Sequence, residues 1–327
     1  SAHAIRYTAF FIASIHTRQK RQLAQQDFSL VAEVHAACAG LKSFCTWEAA
    51  NGIEECRRCC GGAGYLKSSG LPTLYATYVS ACTYEGDNVV LLQQTVRFLF
   101  KQCAVGLASQ PLEGSTISFL SDIHTYQNQH CMAKFPADLL QEDCLLSILG
   151  HVAVRLAHEL YTRFQALQES GISYGEAWNM LTPRMLPVAR AYTFHLLVSN
   201  FFKASRSIQG SRVEHIVVLL AQLFATKHLM DTSTELLEDG FCTPHHISWL
   251  KENFESLLEK IRPQAVPLTD AFNLSDRLLN STIGRADGDV YTAIMESTRR
   301  EPLNKSEIVP GYTEYIQPLI TRFQSRM

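Results

Sequence analysis

Residues 28–59 constrain the fold more than any other stretch. Leu30, Val34, Cys38, Leu41, Cys45 and Ala49 recur there at spacings of three and four, which places them on one face of an α-helix. The stripe runs over too many turns for a lone surface helix, so a helical bundle is predicted. The glycines of "GGAG" then end the helix. The same periodicity recurs along the chain. Residues 2–25 read as an amphipathic helix. Residues 137–170 carry Leu139, Leu140, Leu145, Leu146, Leu149, Val152, Val154, Leu156 and Leu160. An apolar helix is predicted over 211–231. In "CTPHHISWLKENFESLLEKIRP", Thr243 reads as the N-cap and Pro244 as the first helical residue, with a stop before Pro263. Further helices are expected over 267–282, 288–300 and 312–324.

Two stretches read against helix. Residues 65–86 are rich in β-branched and aromatic side chains and are predicted to be non-helical, with Gly70 and Pro72 arguing against a central strand. Pro183 and Pro187 are expected to break or kink 174–206. Between these stretches a helix is predicted over 88–103, with Asp87 or Asn88 as its N-cap. Residues 106–136 look irregular and read as a connection. The expected fold is all-α, with two helical-bundle domains at 1–105 and 137–327 joined by 106–136.

The 327 residues suffice for two domains and a sizeable core. At 46% hydrophobic and 18% charged they have a globular composition, and a net charge of −2 with no basic stripe argues against nucleic acid as a partner. No apolar run reaches the ~18 residues of a membrane span. In "SAHAIRYTAFFIASIHTRQKRQ" the positive charges follow the apolar part, the reverse of a secretory signal. The chain opens in helical sequence without Met or a cap, and a piece lacking its N-terminal part is expected. Ten cysteines at irregular spacing, with no signal peptide, suggest a reducing compartment and read as core residues and free thiols.

No metal set is expected. Cys56 and Cys59 form one CxxC with no second pair downstream. His151, His158, His245 and His246 lack ligand spacing on one face and read as satisfied histidines. "TELLEDG" and "RQKR" read as solvated charge. Gly61, Gly62 and Gly64 admit two readings: a helix C-cap, favoured by their place after a helix, or a backbone bare enough to approach a ligand. Glu85, at the edge of the apolar helix at 88–103, is either a helix-start acid or a base held in a dry pocket.

"GIEECRRCCGGAGYLKSSGLP", "CTYEGDNVVLLQQTVRFL" and "AFNLSDRLLNSTIGRADGDVY" resemble the acyl-CoA oxidase branch of the acyl-CoA dehydrogenase superfamily, over nearly the whole chain. Ala63 departs from the pattern, since oxidases usually carry His there. The resemblance implies that Glu85, of the Tyr-Glu-Gly motif, is the catalytic base of a fatty acyl-CoA dehydrogenation. It implies FAD as cofactor, with Gly61, Gly62 and Gly64 along its dinucleotide part and Asp87 also cofactor-binding, and Tyr84 and Gly86 on the substrate side. The expected reaction gives trans-2-enoyl-CoA, with O2 reduced to H2O2, in a homodimer. The expected setting is the first step of peroxisomal fatty acid β-oxidation. The long helical extension after Cys103 favours an oxidase over a dehydrogenase that uses an electron-transfer flavoprotein. The other alternative is a non-catalytic scaffold of the same fold. Ser325, Arg326 and Met327 have the form of a peroxisomal address read by an import receptor. The piece alone is expected to bind FAD poorly and to be inactive.

Overall fold

Two long helices form the scaffold because the turn between them is encoded residue by residue. The structure, a computed structural model, describes residues 1–109, 116–208, 210 and 212–325. Helix α6 (Glu142–Glu169) ends where Gly171 takes the left-handed φ of +89° and Ile172 N–H returns to Leu167 O at 3.1 Å, a C-terminal cap in which glycine carries no Cβ penalty. Two residues later Ser173 and Glu176 cap each other's end of helix α7 (Tyr174–Arg206). The two helices therefore run antiparallel along their length. Phe164 meets Trp178 near the turn. At the other end Leu145, Ile148 and Leu149 share a core with Leu197, Phe201 and Phe202. Each such large buried side chain contributes ~1.5–3 kcal/mol.

The described residues are all-α, with no strand among them. They divide into two compact units, residues 1–48 with 81–268, and 49–80 with 269–327. In the first, helix α1 (Ala2–Leu23), the start of α2 (Val31–Cys59) and α5 (Asn88–Leu107) join α6 and α7. The buried side of α2 differs from the predicted stripe. Cys38 is exposed, while Ala36, Ala37, Gly40, Ser43 and Phe44 face inward. Small residues permit close approach. A Cβ on Gly40 would stand 2.4 Å from Thr193 Oγ1 and 3.2 Å from Thr95 Oγ1, and Thr95 Oγ1 donates to Ala36 O at 3.0 Å. Close backbone contact, invisible to a count of apolar residues, sets this face.

Two further expectations need correcting. Of the break or kink expected at Pro183 and Pro187, the break is absent: helix α7 runs continuously through both. Both prolines are exposed, one turn apart, on the face opposite the buried Leu181, Met185, Val188 and Ala189, so the carbonyls left without a donor lie on the wet side and the core face stays intact. Residues 65–86 are largely helical: α3 (Gly61–Tyr65), a 3-10 turn at Lys67–Ser69, α4 (Leu71–Tyr78) and a second 3-10 turn at Val79–Cys82. Pro72 sits in the first turn of α4, where its missing N–H costs nothing, and Gly70, at φ +78°, precedes it.

Of the expected 106–136 connection, residues 110–115 lie outside the described residues, while 116–136 carries 3-10 turns at Ser118–Asp122 and Tyr126–Asn128 and forms core. Ile117, Phe119, Leu120, Ile123 and Tyr126 are buried. Thr116 N–H donates to the buried Glu33 carboxylate at 2.8 Å, and Tyr192 Oη–H donates to Thr116 Oγ1 at 3.0 Å. Helix α8 (Arg212–Asp231) is, among the described residues, the one helix long and apolar enough to cross a membrane by length and composition. It packs Val217, Ala221, Phe224, Ala225 and Leu229 into the core against α7 and α10 (Pro244–Ile261). Between α8 and α10 lies the short helix α9 (Ser233–Leu237). His228 on α8 sits among Phe44, Phe194 and Phe224, at ring centroid distances of 5.4, 4.3 and 4.8 Å. Burial pushes its pKa down to about 4, and burial does the same for His195.

The acids of "TELLEDG" are not purely solvated. Buried Arg155 reaches Glu238 at 3.0 Å, Asp239 at 3.4 Å and Glu235 O at 2.5 Å. Asp239 also meets His151 Nε2 at 2.6 Å, and that ring stacks on Phe241. His158 Nδ1 pairs with Tyr126 Oη at 3.0 Å, a satisfied histidine as expected.

The second unit holds the end of α2, α3 and α4, and the short helices α11 (Ala265–Asp270, from Thr269 on), α12 (Asp276–Leu279), α13 (Val290–Arg300) and α14 (Gln317–Gln324). Among its described residues from 269 onward, Ala293 is the one buried apolar side chain, whereas Tyr291 is 86% and Leu278 74% exposed.

Candidate functional site

The turn before α5 concentrates unusual backbone. Glu85 has φ +56° and Gly86 φ +106°. A left-handed glutamate is uncommon and costs ~1–2 kcal/mol, so neighbours must hold it. Gly86 is required twice over, by its φ and because a Cβ there would lie 2.9 Å from Leu91 Cδ2. Asp87 is the N-cap: its carboxylate accepts from Val89 N–H at 2.9 Å and Val90 N–H at 3.4 Å. That settles the helix-start role on Asp87 and leaves Glu85 outside it.

Asn88, 1% exposed, ties this turn to α2. Its amide donates to Ser43 O at 3.2 Å and Thr46 Oγ1 at 2.9 Å. Its side-chain oxygen accepts from Lys42 Nζ at 2.9 Å, and its main-chain oxygen accepts from Ser43 Oγ at 3.0 Å. Lys42 Nζ also donates to Gly86 O at 2.6 Å. A buried amide with every group bonded rigidifies its surroundings. Lys42, Ser43 and Thr46, which brace the turn, are absent from the sequence reading, and Asn88 enters it only as an alternative N-cap. The available signal was a cluster of polar residues, Lys42, Ser43 and Thr46, within a face that had to pack.

Tyr84 is 54% exposed, and Glu85 and Asp87 are exposed as well. In this chain the carboxylate of Glu85 therefore stands open to whatever binds beside it, rather than in a pocket built from its own neighbours. Glu85, Gly86 and Asp87 are consecutive on one turn of the first unit. Gly61, Gly62 and Gly64 belong to the second.

The glycine stretch follows α2. Gly61, at φ +58°, directly follows the turn residue Cys60 that ends α2, which is the C-cap role. Gly64 is buried, and a Cβ there would overlap Arg57 O at 2.1 Å, so α3 folds back onto the last carbonyls of α2 only without a side chain. Gly61 and Gly62 are exposed, and a Cβ on either would meet nothing within 4 Å. Their backbone is bare and approachable, so two glycines fit the ligand reading and Gly64 fits a structural one. The stretch continues into Ser68, whose carbonyl accepts from Thr282 N–H at 2.8 Å and Thr282 Oγ1–H at 3.1 Å. The second and third of the three resembling segments thus differ in kind: one carries the Glu85 turn, while the other braces the glycine stretch. Ser325 follows α14; Arg326 and Met327 lie outside the described residues.

A family model described as acyl-CoA oxidase matches residues 141–321, and one for the acyl-CoA oxidase C-alpha1 domain matches residues 1–100. Peroxisomal acyl-coenzyme A oxidase 2 of Rattus norvegicus is 34% identical over 332 residues, which cover 100% of this chain and 48% of its own length. Peroxisomal acyl-coenzyme A oxidase 1 of Arabidopsis thaliana is 37% identical over 322 residues, covering 98% of this chain and 48% of its own length. Among solved structures, Arabidopsis thaliana acyl-CoA oxidase 1 superposes with a TM-score of 0.93 at 35% identity, over 99% of this chain and 49% of that one. Acyl-CoA oxidase-1 of Caenorhabditis elegans, complexed with FAD and ATP, does so with a TM-score of 0.90 at 28% identity, over 98% of this chain and 48% of that one. The chain spans about half the length of the curated relatives it matches.

Proposed function

Since the chain belongs to the acyl-CoA oxidase family, we propose that it supplies the catalytic base for FAD-dependent α,β-dehydrogenation of a fatty acyl-CoA, giving trans-2-enoyl-CoA and H2O2. The observation that carries this is the Tyr84-Glu85-Gly86 turn, held in a left-handed backbone by Lys42 and Asn88. Glu85 takes a proton from the carbon next to the thioester carbonyl. A carboxylate in water is a weak base for that carbon acid, and desolvation strengthens it. Glu85 is exposed in this chain, so the bound acyl chain and cofactor do the drying. The fixed turn sets the direction of the carboxylate before substrate arrives, and positioned proton transfer contributes ~10²–10⁴-fold. Asp87 caps α5 and leaves Glu85 free of the helix end.

Bound FAD would supply the acceptor for the β-carbon hydride and the route of the electrons to O2. Gly61 and Gly62, exposed and without a side chain, support its dinucleotide part; Gly64 shapes their turn. Tyr84 and Gly86 line the substrate side. Residues 1–105 and 137–327 are the two family modules, a homodimer is the working assembly, and the peroxisome is the compartment, in keeping with the names of the relatives.

The test is Glu85→Gln in the enzyme completed by the relatives' N-terminal half. Peroxide release from palmitoyl-CoA in air should fall by about 10²–10⁴-fold with FAD still bound. Peroxide release at the wild-type rate would overturn the assignment.

A further inference from the structure

Folding assembles a cluster of metal-ligating side chains that no local spacing announces. Cys131, Cys242 and His246 each bring one ligand atom within 4.8 Å of the other two. A third thiol, that of the buried Cys144, neighbours the Cys131 sulfur but is not one of the three mutually close ligand atoms. Cys144, Cys242 and His246 are buried, and Cys131 is half-buried.

The main chain builds the cluster. Cys131 N–H donates to Phe241 O at 2.9 Å, which lays the 129–133 segment beside the start of α10. Cys242 N–H donates to Leu236 O at 3.1 Å, closing the loop after α9. Cys144 lies in the first turn of α6 and His246 in the first turn of α10. His246 Nε2 lies 3.1 Å from Ala133 O, and its Nδ1 accepts from Thr243 N–H at 3.1 Å.

We propose that Cys131, Cys242 and His246 hold a structural zinc ion, with the neighbouring Cys144 thiol swinging in as the fourth ligand. Three thiolates and one imidazole are a standard tetrahedral zinc set, with Zn–S of ~2.3 Å and Zn–N of ~2.0–2.1 Å. Such bonds put ligand atoms roughly 3.5–4 Å apart, and those of Cys131, Cys242 and His246 lie within 4.8 Å of one another. Binding displaces the thiol protons to solvent, and His246 exchanges its bond from Thr243 N–H for the cation at Nδ1. The bond from Nε2–H to Ala133 O then becomes the orienting outer contact that metal-bound histidines usually make. The cation ties the 129–133 segment, the start of α6 and the start of α10 together. This site is separate from the Glu85 turn and does not depend on the proposed activity.

The full chain, purified from zinc-supplemented cells and dialysed, should carry one zinc per chain by elemental analysis. Cobalt exchanged into the unmodified chain should give the strong thiolate-to-cobalt absorption of a tetrahedral sulfur-rich site. Cys131→Ser and Cys242→Ser should lose both signals, and Cys103→Ser, a buried thiol outside the cluster, should keep both. Three outcomes would overturn the proposal: wild-type zinc content no higher than that of Cys131→Ser, a cobalt spectrum without thiolate absorption, or a disulfide between two of the three thiols. The cobalt spectrum is read on the unmodified chain, so a variant that fails to fold leaves the test standing.

Discussion

The Glu85 turn and the glycine stretch both carry proposed chemistry, and they are held in opposite ways. At the turn, side chains do the holding: Lys42, Ser43, Thr46 and Asn88 close a bonded network over a strained backbone. Along 61–70, carbonyls press against places where side chains are missing: Arg57 O at Gly64, and Leu279 O and Asn280 O at Gly70. The lesson concerns how each can change. A side-chain network can be loosened by one substitution at a distance from Glu85. A backbone contact fails only at the glycine itself, and neighbouring glycines with open surroundings are free to vary.

Acid should separate the two regions most widely. All twelve histidines lie in the unit that holds the Glu85 turn and none in the unit that holds the glycines. His195 and His228, with pKa values near 4 when folded, are held below the ~6.5 of an unfolded histidine. The unfolded chain therefore binds protons more readily, and the stability present above about pH 6.5 is lost as pH falls toward 4. The loss is on the order of 3 kcal/mol per imidazole, at ~1.4 kcal/mol per pH unit. Trp47, Trp178 and Trp249 all lie in the same unit, so denaturant unfolding followed by tryptophan fluorescence reads it directly. A midpoint flat between pH 6.5 and 4 would break the comparison.

Asn88→Ala comes next. It strands buried donors and acceptors on α2 and should cost ~2–3 kcal/mol in the same assay; a loss below 0.5 kcal/mol, on the order of an ordinary surface change, would mean that the network holds nothing. The smallest effects should divide the glycines. Gly62→Ala should stay within ~0.5 kcal/mol, while Gly64→Ala should disturb α3 by ~1–3 kcal/mol through overpacking. Local amide exchange over 57–66 distinguishes them, and equal exchange in the two variants would contradict a backbone-held stretch.

Much of this was legible in the sequence, for reasons that differ by element. Helices α5 and α10 follow from apolar period together with a start signal, Asp87 for one and Thr243-Pro244 for the other, whereas α1 and α6 follow from apolar period alone. The buried face of α2 was misread because Ala36, Ala37 and Gly40 pack by being small. Helix α4 was hidden because Gly70 and Pro72 mark a helix start as readily as a loop, and only the following turn tells which. The two prolines of α7 misled because whether a missing donor matters depends on which face it lies on. Glu85 and its neighbours were readable through a family motif. The Asn88 network and the thiol cluster were not, since Lys42 and Asn88, or Cys131 and Cys242, are joined only by the fold.

The left-handed backbone at Glu85 has a consequence for selection. Glycine or asparagine would occupy that conformation with less strain, so pressure for stability alone favours losing the carboxylate. On the role proposed for Glu85, the strained residue is a local stability–function compromise. A search for hardened variants of this protein would be drawn to position 85, and would return well-folded molecules stripped of the proposed base.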